Sequence, residues 1–459
     1  MSLLRCVLIV AAALTLNGEF RAGVARVKIT PDTPAWLMGF GARTHPASVV
    51  GLDLYAKALA LEDGGKGRVV IVTADLIGFT ERSTNELARR VLAKHGLMRE
   101  QIVFLASHTH SGPAVLDRMT ISQGEGPAFD REAETYTVRL IDQLEQLISA
   151  ALAKLEPVRV SSGWAEAGFA FNRRTEQLAV IRPGEKFPAP VDHRVPVLRL
   201  KRKDGSALAL LFGYACHPTV LTGDTYEISG DYPGYAQAAI EELLPGVTAM
   251  FVPLSAGDQR ATPRGTRELA QRHGKSLAEA ALSAKFSPLT GPLQTAIEEI
   301  RLPFASHTKE AYEAEALSSD RFAARRGKAM LAAMAAKKMP LDTAYPIQAI
   351  RIGQITLLAL PGEVVVDYAL HFKAKYGNRL VVAGYANFLP GYIPSLRVQR
   401  EGGYEAGDAM MYFMQPGWFT DEVEALVLGG SARVLKSAGL LPSGSTSGSR
   451  GSLSPNRGR

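Results

Sequence analysis

Cysteine is nearly absent from this chain: its 459 residues hold two, Cys6 and Cys216. If the N-terminal segment is removed, Cys216 has no partner, so no intrachain disulfide framework carries the fold. A chain this long can bury a core large enough to do without one. Free cysteine is most often a small buried hydrophobe, and Cys216 is expected in the core. Its neighbour His217 would then point to the opposite side of the strand. Long apolar runs are missing as well. Cys6–Leu16 is nearly all apolar but too short to span a bilayer. Preceded by Arg5, it has the form of a secretory signal peptide, although Asn17-Gly18-Glu19-Phe20-Arg21 offers a poor cleavage site. Residues 1–21 are therefore expected to be a signal, and the protein secreted or periplasmic. There is no block of one charge sign. The formal net charge is +7, and the acid-free tail from Leu441 to Arg459, with three arginines, supplies +3 of it. The remaining excess is too mild to argue for a nucleic-acid partner. The tail, 441–459, is rich in Ser, Gly and Arg and lacks the apolar content to fold.

Between these ends the composition is ordinary for a globular protein, 46% hydrophobic and 21% charged, with no internal repeat. Strand-like and helix-like stretches alternate. Arg68–Asp75 is a largely apolar run of strand length. Thr80–His95 has helical spacing, with Leu87, Val91 and Leu92 on one face and Gly96 as the stop. The run Ile102–Ala106 follows as a second buried strand, which predicts a parallel β-α-β unit. Glu132–Leu155 carries a buried stripe of Leu140, Leu144, Leu147 and Leu152. Val195–Leu200 and Leu208–Ala215 read as paired strands, Tyr235–Leu244 as a helix and Val247–Pro253 as a strand. Arg267–Lys285 and Thr308–Lys338 read as helices. Ile347–Ile352 and Ile355–Leu360 flank Gly353-Gln354 as a hairpin. Val364–Tyr376 is a further helix, Leu380–Ala383 a strand, and Asp421–Leu440 contains a closing helix. The expected fold is α/β: a mixed-sheet core with flanking helices, one large catalytic domain over 22–440, and a site in strand-end loops.

Chemistry-bearing residues gather where strands stop. His108-Thr109-His110-Ser111-Gly112 follows Ile102–Ala106 directly. If strand geometry persists, residues i and i+2 face one side and both imidazoles look into the same space; taken alone, a pair of exposed loop histidines is an equal reading. Tyr214-Ala215-Cys216-His217-Pro218 ends another strand with a histidine, which alone would be a structural histidine about as often as a ligand. Leu358–Glu363 ends a third with a carboxylate. On chemistry alone Glu363 better suits the positive N-terminal end of the helix pattern starting at Val364, and adjacent Arg173 and Arg174 could be surface charges. Asp231 and Asp258 suit loop-organising acceptors of backbone N–H groups.

In this order, His108–Pro113, Asn172-Arg173, His217-Pro218-Thr219, Ser229-Gly230-Asp231, Ala256-Gly257-Asp258, Pro361-Gly362-Glu363, Gly391-Tyr392 and Tyr404-Glu405 resemble the catalytic domain of the neutral/alkaline non-lysosomal ceramidases, zinc-dependent amidases. The resemblance covers most of 22–440. It implies a zinc ion held by His108, His217, Glu363 and Tyr392. It places His110 beside the metal, in contact with the scissile amide or its developing oxyanion, and Arg173 and Tyr404 around the reacting carbonyl. The implied partner is a small-molecule or lipid N-acyl substrate, compatible with peripheral contact with a membrane; oligomeric state is left open.

The chain also departs from that pattern. The ceramidases carry Gly-Asp-Val-Ser-Pro, whereas this chain reads Gly257-Asp258-Gln259-Arg260-Ala261-Thr262-Pro263. Arg260 takes the serine's place without a gap, Thr262 with one. The immunoglobulin-like C-terminal domain of the family has no counterpart in the sequence given. Two rival readings therefore stand beside amide cleavage: a metal-dependent hydrolase of an ester or lactone, and a catalytically silent metal-containing binding protein.

Overall fold

The computed structural model of the chain describes residues 19–65, 67–115 and 127–441; most of the expected signal segment and the tail from 442 onward lie outside the described residues. Its larger sheet has nine strands: β1 (Arg21–Lys28), β2 (Tyr55–Glu62), β3 (Arg68–Ala74), β4 (Ile102–Ala106), β5 (Glu156–Glu166), β6 (Arg194–Arg202), β7 (Ala207–Tyr214), β8 (Thr248–Pro253) and β9 (Lys285–Pro288). They lie in the order β8-β7-β6-β5-β1-β2-β3-β4, with β9 beside β5. β3 and β4 are parallel, as are β7 and β8; β6 and β7 form the expected antiparallel pair. The folded part includes Phe20, which is buried, and Arg21, which pairs with Glu62.

A second sheet runs β13-β12-β11-β10-β14, built from β10 (Leu293–Ser306), β11 (Asp342–Ile352), β12 (Ile355–Ala359), β13 (Leu380–Ala383) and β14 (Gly417–Phe419). β11 and β12 form the hairpin expected around Gly353, and β12 and β13 are parallel.

Side-chain alternation explains how the sheets stack. Ala58, Ala60, Val70, Val72, Ile102 and Phe104 face a core shared with the helices Glu81–His95 and Pro127–Leu152. Their strand neighbours Leu59, Leu61, Val69, Ile71, Val103 and Leu105 face the other way, into a core shared with Ile350, Ile352, Ala359 and Ala383 of the second sheet. The outer face of that sheet, with Ile347, Ala349 and Leu358, packs on the helices Val366–Tyr376 and Val423–Ser437. The result is four layers, helix-sheet-sheet-helix. The period-two pattern of each strand is what lets one sheet feed two cores.

Local chemistry sets the element ends. The Thr80 side chain accepts from the Ser83 N–H, and Gly96 closes the same helix with φ +67°. Leu87 and Val91 of that helix are buried, but Leu92 is 46% exposed. One residue past Val91 the helix has turned about 100°, which carries Leu92 off the stripe. The helix expected over Thr308–Lys338 is two helices, Lys309–Ala316 and Arg321–Ala335. Asp320 accepts from the N–H groups of Phe322 and Ala323, and this cap restarts the helix where Ala-rich propensity alone would have continued it. Glu363 does not begin the following helix. It lies in the two-residue strand Glu363–Val364, which pairs in parallel with Tyr392–Ile393.

Candidate metal centre

The carboxyl ends of β4, β7 and β8 in one sheet meet those of β12 and β13 in the other. Single bridges, Leu105 to Ala386 and Leu254 to Ala383, tie the two sheets together there. The chain leaving β4 stays clipped beside β3, with Ser107 N–H donating to Ala74 O (2.8 Å) and His108 N–H to Leu76 O (2.9 Å). His108 then adopts φ +66°, a conformation that costs an ordinary residue about 1–2 kcal/mol. Strand geometry therefore does not persist through the motif. The two imidazoles still meet, with Nε2 of His108 and His110 3.2 Å apart, but through this left-handed kink.

His217, following β7, and Glu363, following β12, complete the convergence. Glu363 Oε2 lies 2.8 Å from His217 Nε2 and 3.3 Å from His108 Nε2. The ligating nitrogens of His108, His110 and His217 all lie within 4.8 Å of one another. His108 Nδ1 lies 2.6 Å from Ile77 O, and His217 Nδ1 2.6 Å from Ala256 O. A carbonyl only accepts, so these contacts place the ring proton on Nδ1 and leave a lone pair on each Nε2. With both rings neutral, the two Nε2 atoms and a carboxylate oxygen face one another as acceptors, and the nearest ring nitrogen able to donate is His110 Nε2, 3.2 Å from His108 Nε2. That arrangement is unfavourable unless a proton or a metal cation sits among them, and a backbone carbonyl holding Nδ1–H of a histidine is a common way for proteins to orient a metal ligand. The donor set, neutral imidazole plus carboxylate, suits zinc.

Electrostatics agree. Burial, reinforced by the Arg173 charge, lowers His217 to about 4. Burial together with its histidine neighbours holds His110 well below the usual imidazole range. Burial would raise Glu363, but positive charge and hydrogen-bond donation on the His108 and His217 side hold it well below the usual carboxylate range, so a proton or a metal cation belongs between these groups. Tyr392 is pushed well above its usual range by burial. Its hydroxyl accepts from Arg173 Nη2 at 2.9 Å.

His108, His110, Glu363, Tyr392 and Tyr404 line one cleft of about 190 Å³, with Phe40 and Phe413 also in its wall. Gly39 borders it with φ +103°, and a Cβ there would lie 2.4 Å from the His110 ring. A more apolar cavity of about 70 Å³ lies between the sheets, but no ionisable side chain lines it. Arg173 aims across the cleft wall, its guanidinium carbon 5.7 Å from both the Tyr392 and Tyr404 ring centres.

All seven predicted site residues are thus brought to one place. Asp258 organises the loops as expected, accepting from Val366 N–H and Asn172 Nδ2, both at 2.9 Å. Asp231 does the same for Leu221 and Tyr232. Cys216 is buried and its thiol is pushed up by burial, consistent with core. Arg260 pairs with Glu176 on the strand Gln259–Ala261, and neither it nor Thr262 lines the cleft. Sequence reasoning missed Tyr385, whose ring centre lies 4.3 Å from that of His108, and Glu405, fully buried against Arg173. Tyr385 follows a strand end, a signal that was available. Glu405 stood in the motif Tyr404-Glu405 but was given no role of its own.

The fold brings a cluster of histidines that could hold a metal ion, with a carboxylate beside it, to the junction of two sheets. The family model "Neutral/alkaline non-lysosomal ceramidase, N-terminal" matches residues 20–261, and the chain belongs to that family. The neutral ceramidase of Pseudomonas aeruginosa is 26% identical over 56% of this chain and 39% of its own length. That of Mycobacterium tuberculosis is 22% identical over 82% of this chain and 71% of its own. The first of these is thus matched over well under half its length. The crystal structure of the P. aeruginosa neutral ceramidase superposes with a TM-score of 0.71 at 21% identity, covering 92% of this chain and 75% of that one. A structure described as ceramidase complexed with C2 gives 0.69 at 20% identity, over 89% and 73% of the two chains. These likenesses establish the fold.

Proposed function

We propose that the protein is a zinc-dependent hydrolase that cleaves the amide bond of an N-acyl compound, a lipid amide of the ceramide type or a smaller relative. The observation that carries this reading is the convergence of His108, His217 and Glu363, whose acceptor atoms facing one another suit a divalent cation. His108, His217, Glu363 and Tyr392 would hold it, with Tyr392 brought alongside by its strand register with Glu363. A zinc ion bound there would supply a Lewis acid and a water of lowered pKa.

The chain's own groups do the rest. His110 reaches the centre without being needed to hold it, and its Nδ1 is buried without a hydrogen-bond partner among the described residues. It is neutral near pH 7, so Nε2 can take or give a proton at the scissile nitrogen. Arg173 spends Nε and Nη2 on protein partners, while Nη1 takes none among the described residues and is left to donate to the carbonyl oxygen. Tyr404, 37% exposed at the cleft, offers a second hydroxyl to the same oxygen. Donors aimed at a developing oxyanion are worth about 2.7–4 kcal/mol each in other hydrolases. Ring faces of Phe40, Tyr392, Tyr404 and Phe413 give an acyl chain an apolar wall.

Ala22–Leu440 would constitute this catalytic unit, exported to the periplasm or beyond and meeting lipid substrates by peripheral contact. None of the described helices is long and apolar enough to cross a membrane. The test is metal analysis joined to an acyl-amide panel that includes ceramide, short N-acyl amines, esters and lactones. His108→Ala is expected to lose zinc and hydrolysis together. His110→Ala should keep the zinc and lose hydrolysis. Full turnover by a metal-free preparation would overturn the assignment.

A further inference from the structure

Glu405 is fully buried and stands between two arginines. Its Oε1 accepts from Arg173 Nε at 2.7 Å, and its Oε2 from Arg174 Nη1 at 2.9 Å. Arg174, 1% exposed, is held by Glu401 at 3.0 Å and by the carbonyl of Gly402. A buried carboxylate gripped from both sides has one orientation available to it. Burial would push the Glu405 carboxyl up, but Arg173 and Arg174 outweigh it and keep the group ionised. On its far side Arg173 is fixed again, Nη2 donating to Gly257 O at 2.8 Å and to the Tyr392 hydroxyl at 2.9 Å. Two edges of the guanidinium plane are thus locked and the third, bearing Nη1, is the edge left open. A planar fork pre-organised in this way loses less rotamer freedom per hydrogen bond formed.

We propose that Glu405, braced by Arg174, is a positioning residue that sets the plane of Arg173 so that Nη1 faces the substrate carbonyl. This rests on the reading above in which Arg173 acts on that carbonyl. The alternative role for Glu405 is a structural tie between its own loop and the helix Arg174–Ile181. That tie is duplicated by the bonds from Arg174 to Glu401, Gly402 and Val398, which survive loss of the Glu405 charge.

The experiment is a double-mutant cycle on the zinc-loaded full chain. Glu405→Gln keeps the volume and removes the charge. It should lower kcat/KM by about 10–100-fold, mostly in kcat, the range typical when an outer-shell partner is lost. Zinc content and chelator-competition affinity should stay as in the parent. In an Arg173→Ala background the same change should cost nothing further, because contacting residues that act as one unit are non-additive. A readout independent of turnover is calorimetric titration of octanoate, a carboxylate product mimic, into the metal-free protein. Its affinity should fall in Glu405→Gln, and the double variant should bind no more weakly than Arg173→Ala alone. If Glu405→Gln folds poorly, Glu405→Asp supplies the test: it keeps the charge, withdraws it by one methylene, and should give a smaller loss with the same non-additivity. Parental activity in Glu405→Gln, or an equal fold-loss with and without Arg173, would overturn the proposal. Full activity of Arg173→Ala alone would instead strike the assignment of Arg173 itself.

Discussion

Replacing Glu363 by glutamine tests the metal argument without relying on turnover. In the metal-free protein the Glu363 carboxylate lies 2.8 Å from a His217 Nε2 that carries a lone pair. His217 is held to about 4, so at pH 7.5 no proton is available there to bridge them. The amide of Glu363→Gln has almost the same shape but brings two N–H donors. One of them can donate to His217 Nε2, replacing a repulsive contact by a hydrogen bond worth about 0.5–1.5 kcal/mol. Removing a charge that lies 3% exposed adds to the gain. The metal-free variant should therefore melt above the metal-free parent, by about 1–4 °C. With zinc the order reverses: the neutral amide is a poor ligand, zinc affinity should fall by more than about 100-fold, and zinc should no longer raise the melting temperature. Differential scanning calorimetry with excess chelator, then with excess zinc, measures both. A metal-free variant that melts below the metal-free parent, or one still stabilised by zinc like the parent, would refute the reasoning from facing lone pairs.

Three further outcomes follow from other parts of the structure. Gly39→Ala puts a Cβ 2.4 Å from the His110 ring at φ +103°; it should cost about 1–3 kcal/mol of stability and about 100-fold in turnover through displacement of His110, read by urea melts and steady-state kinetics. Asp231 is fully buried, and burial raises its carboxyl from 3.8 to about 7. An acid raised in the folded state contributes stability in full below 3.8 and loses it as pH climbs through 7. The parent should thus lose roughly 4 kcal/mol from this group between those limits, and Asp231→Asn should flatten the slope, as unfolding at pH 4.5 and 7.5 would report. Leu92→Ala, at a surface position, should change stability by under about 0.5 kcal/mol, whereas Leu87→Ala in the core should cost about 2–5 kcal/mol.

Most of the layered core was legible because strands announce themselves by alternation or by unbroken apolar runs. The run Ile102–Ala106 and the hairpin around Gly353 belong to this class. β10 escaped notice: its centre reads Ile297-Glu298-Glu299-Ile300-Arg301, charged and only partly buried, and it exists because β11 offers it a partner along eleven register pairs. Pairing of that kind is a property of two distant segments and leaves little trace in either. The site divides the same way. His108, His110 and His217 stand at strand ends where local pattern points to them. Glu363 was ambiguous because a carboxylate before a helix pattern has an ordinary use, and only its pairing with Tyr392 removes that use. The left-handed kink at His108 could not be read from residue type, since nothing local asks an imidazole to adopt it. Arg174 shows the limit of charge as a guide: flagged as a candidate surface residue, it is 1% exposed because three carboxylate contacts and two carbonyls surround it.

The donors come from both sheets, His108 and His217 leaving the nine-stranded one, Glu363 and Tyr392 following strands of the other. A cation seated among them would act as a clasp between two slabs, and a fragment containing one slab alone would lack half of that donor set. The full donor set would then be completed only once the second half of the chain had folded, so an immature chain would carry no finished centre while that half was still being made.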